Sequence, residues 1–212
     1  MLYKSISKSD CNYPDKLSCM GSSSPETLYY IGNVDLLYKD SISVIGTRNP
    51  TKYSIQHEKK MVENFVENNL VVVSGLALGC DYIAHRATID NGGETIAVMP
   101  SGVDTIVPRS NQKLADDILA NDGLIVSQYP LGSRPKRHTY VERNKITASL
   151  GDSLYVVQCN AKSGTMHTVN FAKSYQKPIF AQDAFEFSGN RMILENGTAK
   201  KGSIETIMNS YR

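Results

Sequence analysis

A chain of 212 residues with 41% hydrophobic and 21% charged residues has the composition of a globular protein that can bury one sizeable core. The formal net charge of +2 does not indicate a nucleic-acid ligand by itself, so any basic surface must come from uneven placement of charges. The four cysteines form no CxxC pair, the amino terminus lacks a signal peptide, and no apolar run nears the roughly 20 residues of a membrane span. We therefore expect a cytoplasmic protein that has no metal site, no cofactor and no membrane contact.

In chain order, residues 1–40 are rich in turn formers, which predicts an irregular extension that packs on the core. From 41 to 187, short β-branched runs alternate with segments of helical periodicity, as in βαβ units. The predicted strands are 42–45, 70–73, 95–99, 124–126, 154–157 and 178–181. The predicted helices are one that follows Ser54 as N-cap and stops at Asn68, and then 80–89, 111–120, 140–150 and 165–175. The tail, 188–212, is expected to end in a short helix near 203–209.

Each predicted strand is nearly continuous in apolar residues, which is typical of a strand covered on both faces. Strands of this kind, each followed by a helix, predict an α/β fold with a doubly wound, mostly parallel sheet. The fold class is therefore an extended Rossmann-like domain over residues 41–187.

Glycines, hydroxyls and cations cluster in the turns after these strands. Because ligands of open parallel sheets bind beyond the carboxyl ends of the strands, we expect a phosphate-binding rim there. Its residues are Gly46, Thr47, Arg48, Ser74, Gly75, Lys162, Ser163, Gly164 and Thr165. Small residues let backbone N–H groups approach an anion, and Ser163 or Thr165 can add a hydroxyl donor. A single glycine-rich turn is more often a tight connection, so the prediction depends on several turns meeting on one rim. Neither GxGxxG nor GxxxxGK[ST] occurs, which disfavours a dinucleotide or a nucleoside triphosphate.

Positive charge is concentrated in one part of the chain. Residues 133–145 carry five lysines and arginines against one glutamate, and residues 132–177 carry eight against two acids. A ring among cations, here Tyr140 with Lys136, Arg137 and Arg143, is the combination that holds unpaired bases. A solvated basic loop with Tyr140 partly in the core is an equally good interpretation of this segment alone. Asp81 and His85 share a helix face, and we interpret them as a surface or capping arrangement rather than an acid–base pair.

Taken in order, these segments resemble the DNA-processing protein A (DprA/Smf) family from about Tyr13 to about Ala181. The segments that carry the resemblance include Tyr13-Pro14, 28–33, Gly46-Thr47-Arg48, Ser74-Gly75-Leu76-Ala77-x-Gly79-x-Asp81, Gly102-Val103-Asp104, Arg143-Asn144-x-Ile146 and Lys162-Ser163-Gly164-Thr165. Gln128 and Cys80 depart from the family pattern. The segments before and after the match are too short for the helical and winged-helix domains of longer relatives.

The resemblance implies a protein that binds single-stranded DNA, usually as a homodimer, and helps to load the recombinase RecA in natural transformation. It also implies that Arg48 and the stretch with Arg137, Tyr140 and Arg143 lie at the DNA pocket. Asn144 belongs to the same motif as Arg143, and residues 162–165 to the phosphate-binding rim. The apolar tract Leu124–Val126 leaves room for an edge-to-edge or helix-mediated dimer, although only the resemblance argues for one.

Two other functions remain open on this fold. Phosphoribohydrolases resembling lysine decarboxylases have a glutamate where Thr168 stands here, and a threonine cannot stabilise an oxocarbenium ion as a carboxylate does. A sensor could instead bind a small nucleotide-derived signal in the same rim without chemistry. We expect DNA binding and no catalysed reaction.

Overall fold

A nine-stranded sheet forms the centre of the computed structural model, which describes residues 3–211. Residues 1, 2 and 212, at the ends of the predicted extension and tail, lie outside the described residues. The strands are β1 (Lys4–Ser7), β2 (Thr27–Gly32), β3 (Ser41–Ile45), β4 (Val71–Ser74), β5 (Thr95–Val98), β6 (Leu124–Ser127), β7 (Ser153–Val156), β8 (Ile179–Ala181) and β9 (Lys200–Lys201). Their order is β1-β2-β6-β5-β4-β3-β7-β8-β9.

Strands β3 to β9 run parallel, and β1 and β2 add antiparallel pairs at one side. The strands from β3 to β8 are buried along their whole length. This confirms the predicted doubly wound α/β class, since the apolar runs are covered on both faces. The six strands predicted from the sequence match β3 to β8 to within one residue at each end.

Helices cover both faces of the sheet. They are α1 (Lys52–Glu67), α2 (Cys80–Asp90), α3 (Gln112–Ala120), α4 (Arg137–Leu150), α5 (Thr165–Ser174), α6 (Ser188–Glu195) and α7 (Ile204–Met208). Val72 packs in one core with α1 and α2, whereas its neighbours Val71 and Val73 pack with Ile146 of α4 on the other face. This alternation along β4 follows from the two-residue period of a strand. Helix α1 begins earlier than predicted, because Thr51, not Ser54, is its N-cap and accepts a hydrogen bond from the Ser54 N–H at 3.2 Å.

The two ends of the chain are more regular than expected. The first 40 residues contribute β1 and β2, and β2 pairs with β6. The tract Leu124–Val126 therefore lies inside the sheet, between β2 and β5, and cannot form an exposed edge. In the tail, α7 confirms the predicted short helix, while α6 and β9 were not expected. The division of the chain at residues 40 and 187 into extension, domain and tail stays a prediction. Across residues 3–211, no helix is both long enough and apolar enough to span a bilayer.

Candidate nucleic-acid interface

A cavity of about 460 Å³ opens where β3 ends, between the loops that follow β4 and β7. Strand β4, the next strand in the chain, lies on one side of β3, and the chain continues away from β3 to β5 and β6 before it returns to form β7 on the other side. Such a reversal of strand order leaves a crevice at the carboxyl ends of the strands, which is where open α/β sheets bind ligands. We call this cavity the rim pocket. The predicted site residues that line it are Gly46, Thr47, Arg48, Tyr140, Arg143, Asn144, Ser163, Gly164 and Thr165.

One wall of the rim pocket is the amino terminus of α5. Gly164 is the N-cap, and the partial positive charge of the helix end is directed at the opening. The Thr165 hydroxyl donates to the Gly46 carbonyl at 3.0 Å, so it joins two walls of the pocket. The Ser163 hydroxyl has no hydrogen-bond partner within residues 3–211. Of the two hydroxyls predicted to serve an anion, the one without a bond within residues 3–211 is that of Ser163, and its oxygen is buried beside the opening.

The floor of the rim pocket is a buried ion pair. Arg143 is 6% exposed, and its Nη1 lies 3.6 Å from Oδ2 of Asp81, which is 8% exposed. Burial raises the pKa of Asp81, and the Arg143 charge opposes this rise. Gly75 makes the pair possible, because a Cβ there would lie 1.1 Å from Arg143 Nη1.

The loop 75–79 is held from below by a hydrogen-bonded chain. The Leu76 N–H donates to His85 Nε2 at 3.3 Å, and His85 Nδ1 lies 2.7 Å from the Thr95 hydroxyl, which donates to Val72 O. This network requires a neutral His85, and burial lowers the pKa of His85 to about 3. Asp81 and His85 are thus both buried, contrary to the surface arrangement that we expected. They form no acid–base pair, since Asp81 faces Arg143.

Exposed cations surround the opening. Arg48 is exposed, and its guanidinium carbon lies 5.9 Å from the ring centroid of half-buried Tyr140. Lys136 and Arg137 are exposed at the start of α4, one turn before Tyr140, and Lys162 is exposed before α5. Within residues 3–211 none of these four cations forms an ion pair. Lys136, Arg137 and Lys162 flank the rim pocket but do not line it.

Ser74 and Gly75 also do not line the pocket, so five of the predicted residues lie outside its wall. Ser74 is fully buried and donates its hydroxyl to Val44 O at 2.7 Å, which leaves no donor for a ligand. Gly75 leaves the space that Arg143 occupies, and its backbone N–H helps to lower the pKa of Asp81. Conversely, the pocket includes Leu78 and His167, which the sequence analysis missed. The position of His167 in the first turn of α5, four residues after Ser163, could have indicated its place.

Chemistry that needs a free carboxylate is not assembled here. Among the residues that line the pocket, the one acid is Asp81, and it is paired with Arg143. Thr168 lines the pocket and is 3% exposed. A glycosidic cleavage would need a carboxylate at the opening.

Comparison with known proteins identifies the family. The family described as DNA recombination-mediator protein A matches residues 4–212. The chain belongs to this family. It is 38% identical over 172 residues to the DNA processing protein DprA of Streptococcus pneumoniae, covering 81% of this chain and 60% of that protein. It is 34% identical over 202 residues to Protein Smf of Synechocystis, covering 91% of this chain and 50% of that protein.

A solved structure of a family member has the same fold. DNA processing protein A from Helicobacter pylori, described for its single-stranded DNA binding mode, superposes with a TM-score of 0.88 at 33% identity. The match covers 99% of this chain and 95% of that one. The chain spans about half to three fifths of the length of the two curated relatives above.

Proposed function

We propose that this member of the DNA recombination-mediator protein A family binds single-stranded DNA at the rim pocket. The observation that carries the proposal is the combination around one opening of an exposed Arg48 without an ion pair among residues 3–211, a half-buried Tyr140 ring and the amino terminus of α5. Cations and a helix end bind phosphate, and a ring offers a face to a base. The printed description of the H. pylori relative as a single-stranded DNA binder supports this choice of ligand.

The arrangement favours an unpaired strand. A base can stack on Tyr140 only when it is not already stacked and paired in a duplex. Lys136 and Arg137 on one side of the pocket and Lys162 on the other extend the positive charge along the rim. No element among the described residues offers a row of side chains to base edges, so we propose binding that is largely independent of sequence.

Wider roles are part of the same proposal. Action in the cytoplasm as a homodimer that helps to load RecA, without a catalysed step, is consistent with the family. Light scattering at micromolar concentration tests the dimer, and a monomeric mass would contradict it. Co-purification of RecA with the DNA-bound protein tests the second partner, and the same experiment without DNA is its control.

Fluorescence anisotropy with a labelled oligothymidylate tests the DNA proposal. The protein should bind this strand in preference to a duplex of equal length, and nucleoside monophosphates should compete poorly. Four exposed cations predict a plot of log affinity against log salt with a slope of about −3, from roughly −0.7 per phosphate on a single strand. Lys162→Ala should weaken binding and flatten the slope, while Lys173→Ala, exposed at the far end of α5, should not. Preference for duplex, or strong competition by a mononucleotide, would contradict the proposal, and the latter result would favour the signal-sensor function.

A further inference from the structure

The Arg48 guanidinium lies over the Tyr140 ring, so the two side chains are not independent contacts, one to a phosphate and one to a base. The Arg48 side chain forms no hydrogen bond or ion pair within residues 3–211, and its guanidinium carbon lies 5.9 Å from the centroid of the Tyr140 ring. Its charge also acts, without direct contact, on the buried Asp81–Arg143 pair. A guanidinium over an aromatic face is attracted by the ring quadrupole. The ring is therefore the group that determines where this charge lies.

The backbone of Arg48 is fixed by its neighbours. The Cys80 N–H donates to Thr47 O at 3.1 Å, and Gly79, with φ of +74°, packs so closely that a Cβ there would lie 2.5 Å from the Arg48 carbonyl carbon. Strand β3 ends three residues earlier, at Ile45. The remaining freedom of Arg48 is in its long side chain, which leaves the backbone at a defined point beside the pocket.

We infer that Tyr140 is a positioning residue for Arg48: its ring holds the guanidinium over the rim pocket, ready to bind a DNA phosphate. This inference rests on the proposed function and assigns Tyr140 a role that needs no base. One face of the ring is taken by Arg48, so at most the other face remains for stacking. Binding would otherwise have to immobilise the arginine, an ordering that typically weakens affinity by about fivefold for one such side chain.

A strand without bases separates the two roles of the ring. We would compare oligothymidylate with an oligomer of the same length in which the central nucleotides are abasic, so that phosphates remain and bases are lost. Tyr140→Leu should weaken binding to the abasic strand by about fivefold with little change in salt slope, because Arg48 still reaches the phosphate but must be ordered on binding, whereas Arg48→Ala should weaken binding and also reduce the slope. Tyr140→Phe, which keeps the ring, should bind as the wild-type protein. In the Arg48→Ala background, Tyr140→Leu should have no further effect on the abasic strand.

The outcomes are distinct. If Tyr140→Leu binds the abasic strand with wild-type affinity and loses affinity only for oligothymidylate, the ring stacks on a base and the inference is wrong. If the wild-type protein binds neither strand, the proposed function fails and the inference fails with it. Thermal melting checks that each variant folds. Should Tyr140→Leu be unfolded, Tyr140→Met, with its unbranched side chain, replaces it under the same criteria.

Discussion

The pocket floor predicts a strong effect of adding one methyl group at Gly75. In Gly75→Ala the new Cβ would lie 1.1 Å from Arg143 Nη1, 2.3 Å from Arg143 Cζ and 2.7 Å from Asp81 Oδ2. A small shift does not relieve a distance of 1.1 Å, so the Arg143 guanidinium must move toward the rim pocket that it lines. The arginine must therefore leave its position opposite Asp81.

The magnitude follows from what is left behind. Breaking a buried ion pair typically destabilises a protein by about 3–5 kcal/mol, and overpacking adds about 1–3 kcal/mol. Asp81 limits this loss, since its pKa is already raised by burial and it can take up a proton when Arg143 moves away. We therefore expect a loss near the lower end, about 3 kcal/mol in the free energy of unfolding.

Urea denaturation followed by circular dichroism measures this loss. With a slope of about 1–3 kcal/mol per molar urea, the midpoint should fall by about 1 M or more. Gly164→Ala is the matched control, because its Cβ would meet nothing within 4 Å and its φ of −59° suits any residue. In an Arg143→Met background, which opens the space, Gly75→Ala should cost less than about 1 kcal/mol. An unchanged midpoint for Gly75→Ala in the wild-type background would show that Arg143 does not occupy this place.

Three further predictions concern hydroxyls and buried titratable groups. Ser163→Ala should leave stability within about 0.5 kcal/mol of wild type but weaken DNA binding about three- to tenfold. Thr165→Val should instead lower stability by about 1 kcal/mol, because it loses the hydrogen bond to the Gly46 carbonyl. Urea denaturation measures the stabilities, and fluorescence anisotropy measures the binding. Glu58 is fully buried, and burial, followed by the charge of nearby Asp81, holds its pKa well above the usual value. As pH rises above about 4.3, the wild-type protein should therefore lose stability relative to Glu58→Gln by up to about 1.4 kcal/mol per pH unit. Parallel plots of unfolding free energy against pH for the two proteins would contradict this. Burial lowers the pKa of His85 to about 3, so the stability that neutral His85 contributes to the fold is present above about pH 6.5 and is lost as pH falls toward 3. His85→Gln should not show this loss when unfolding free energy is measured over the same pH range.

The central fold could be predicted because each of its strands is covered on both faces. An apolar run such as Val71–Ser74 has one structural interpretation when a helical segment follows it. Strands β1 and β2 gave a weaker signal. Lys4–Ser7 is a four-residue outer strand with two exposed positions, and Thr27–Gly32 alternates between buried and partly exposed residues among turn formers. Strand β1 pairs with β2, and β2 in turn pairs with β6, more than 90 residues away, which no local pattern reports.

The same limit applies to the functional site. The sequence identified which turns meet at the rim, because the carboxyl ends of parallel strands share one edge. It could not show which face of a turn each residue presents. Ser74 and Ser163 are both serines near a strand end, yet one hydroxyl bonds to Val44 O inside the sheet and the other has no partner beside the pocket.

The two arginines of the pocket show what burial adds to residue type. Arg48 and Arg143 carry the same group and line the same opening, but Arg143 is paired with Asp81 through the space that Gly75 leaves, while Arg48 forms no ion pair within the described residues. A phosphate that approached Arg143 would have to compete with the buried carboxylate of Asp81, 3.6 Å away. Arg48 lies exposed at the surface, with its guanidinium over the Tyr140 ring. The positive charge that a DNA strand can bind is therefore the charge that is not paired with an acid, which between these two arginines is that of Arg48. The buried pair of Arg143 and Asp81 instead forms the floor of the pocket beneath it.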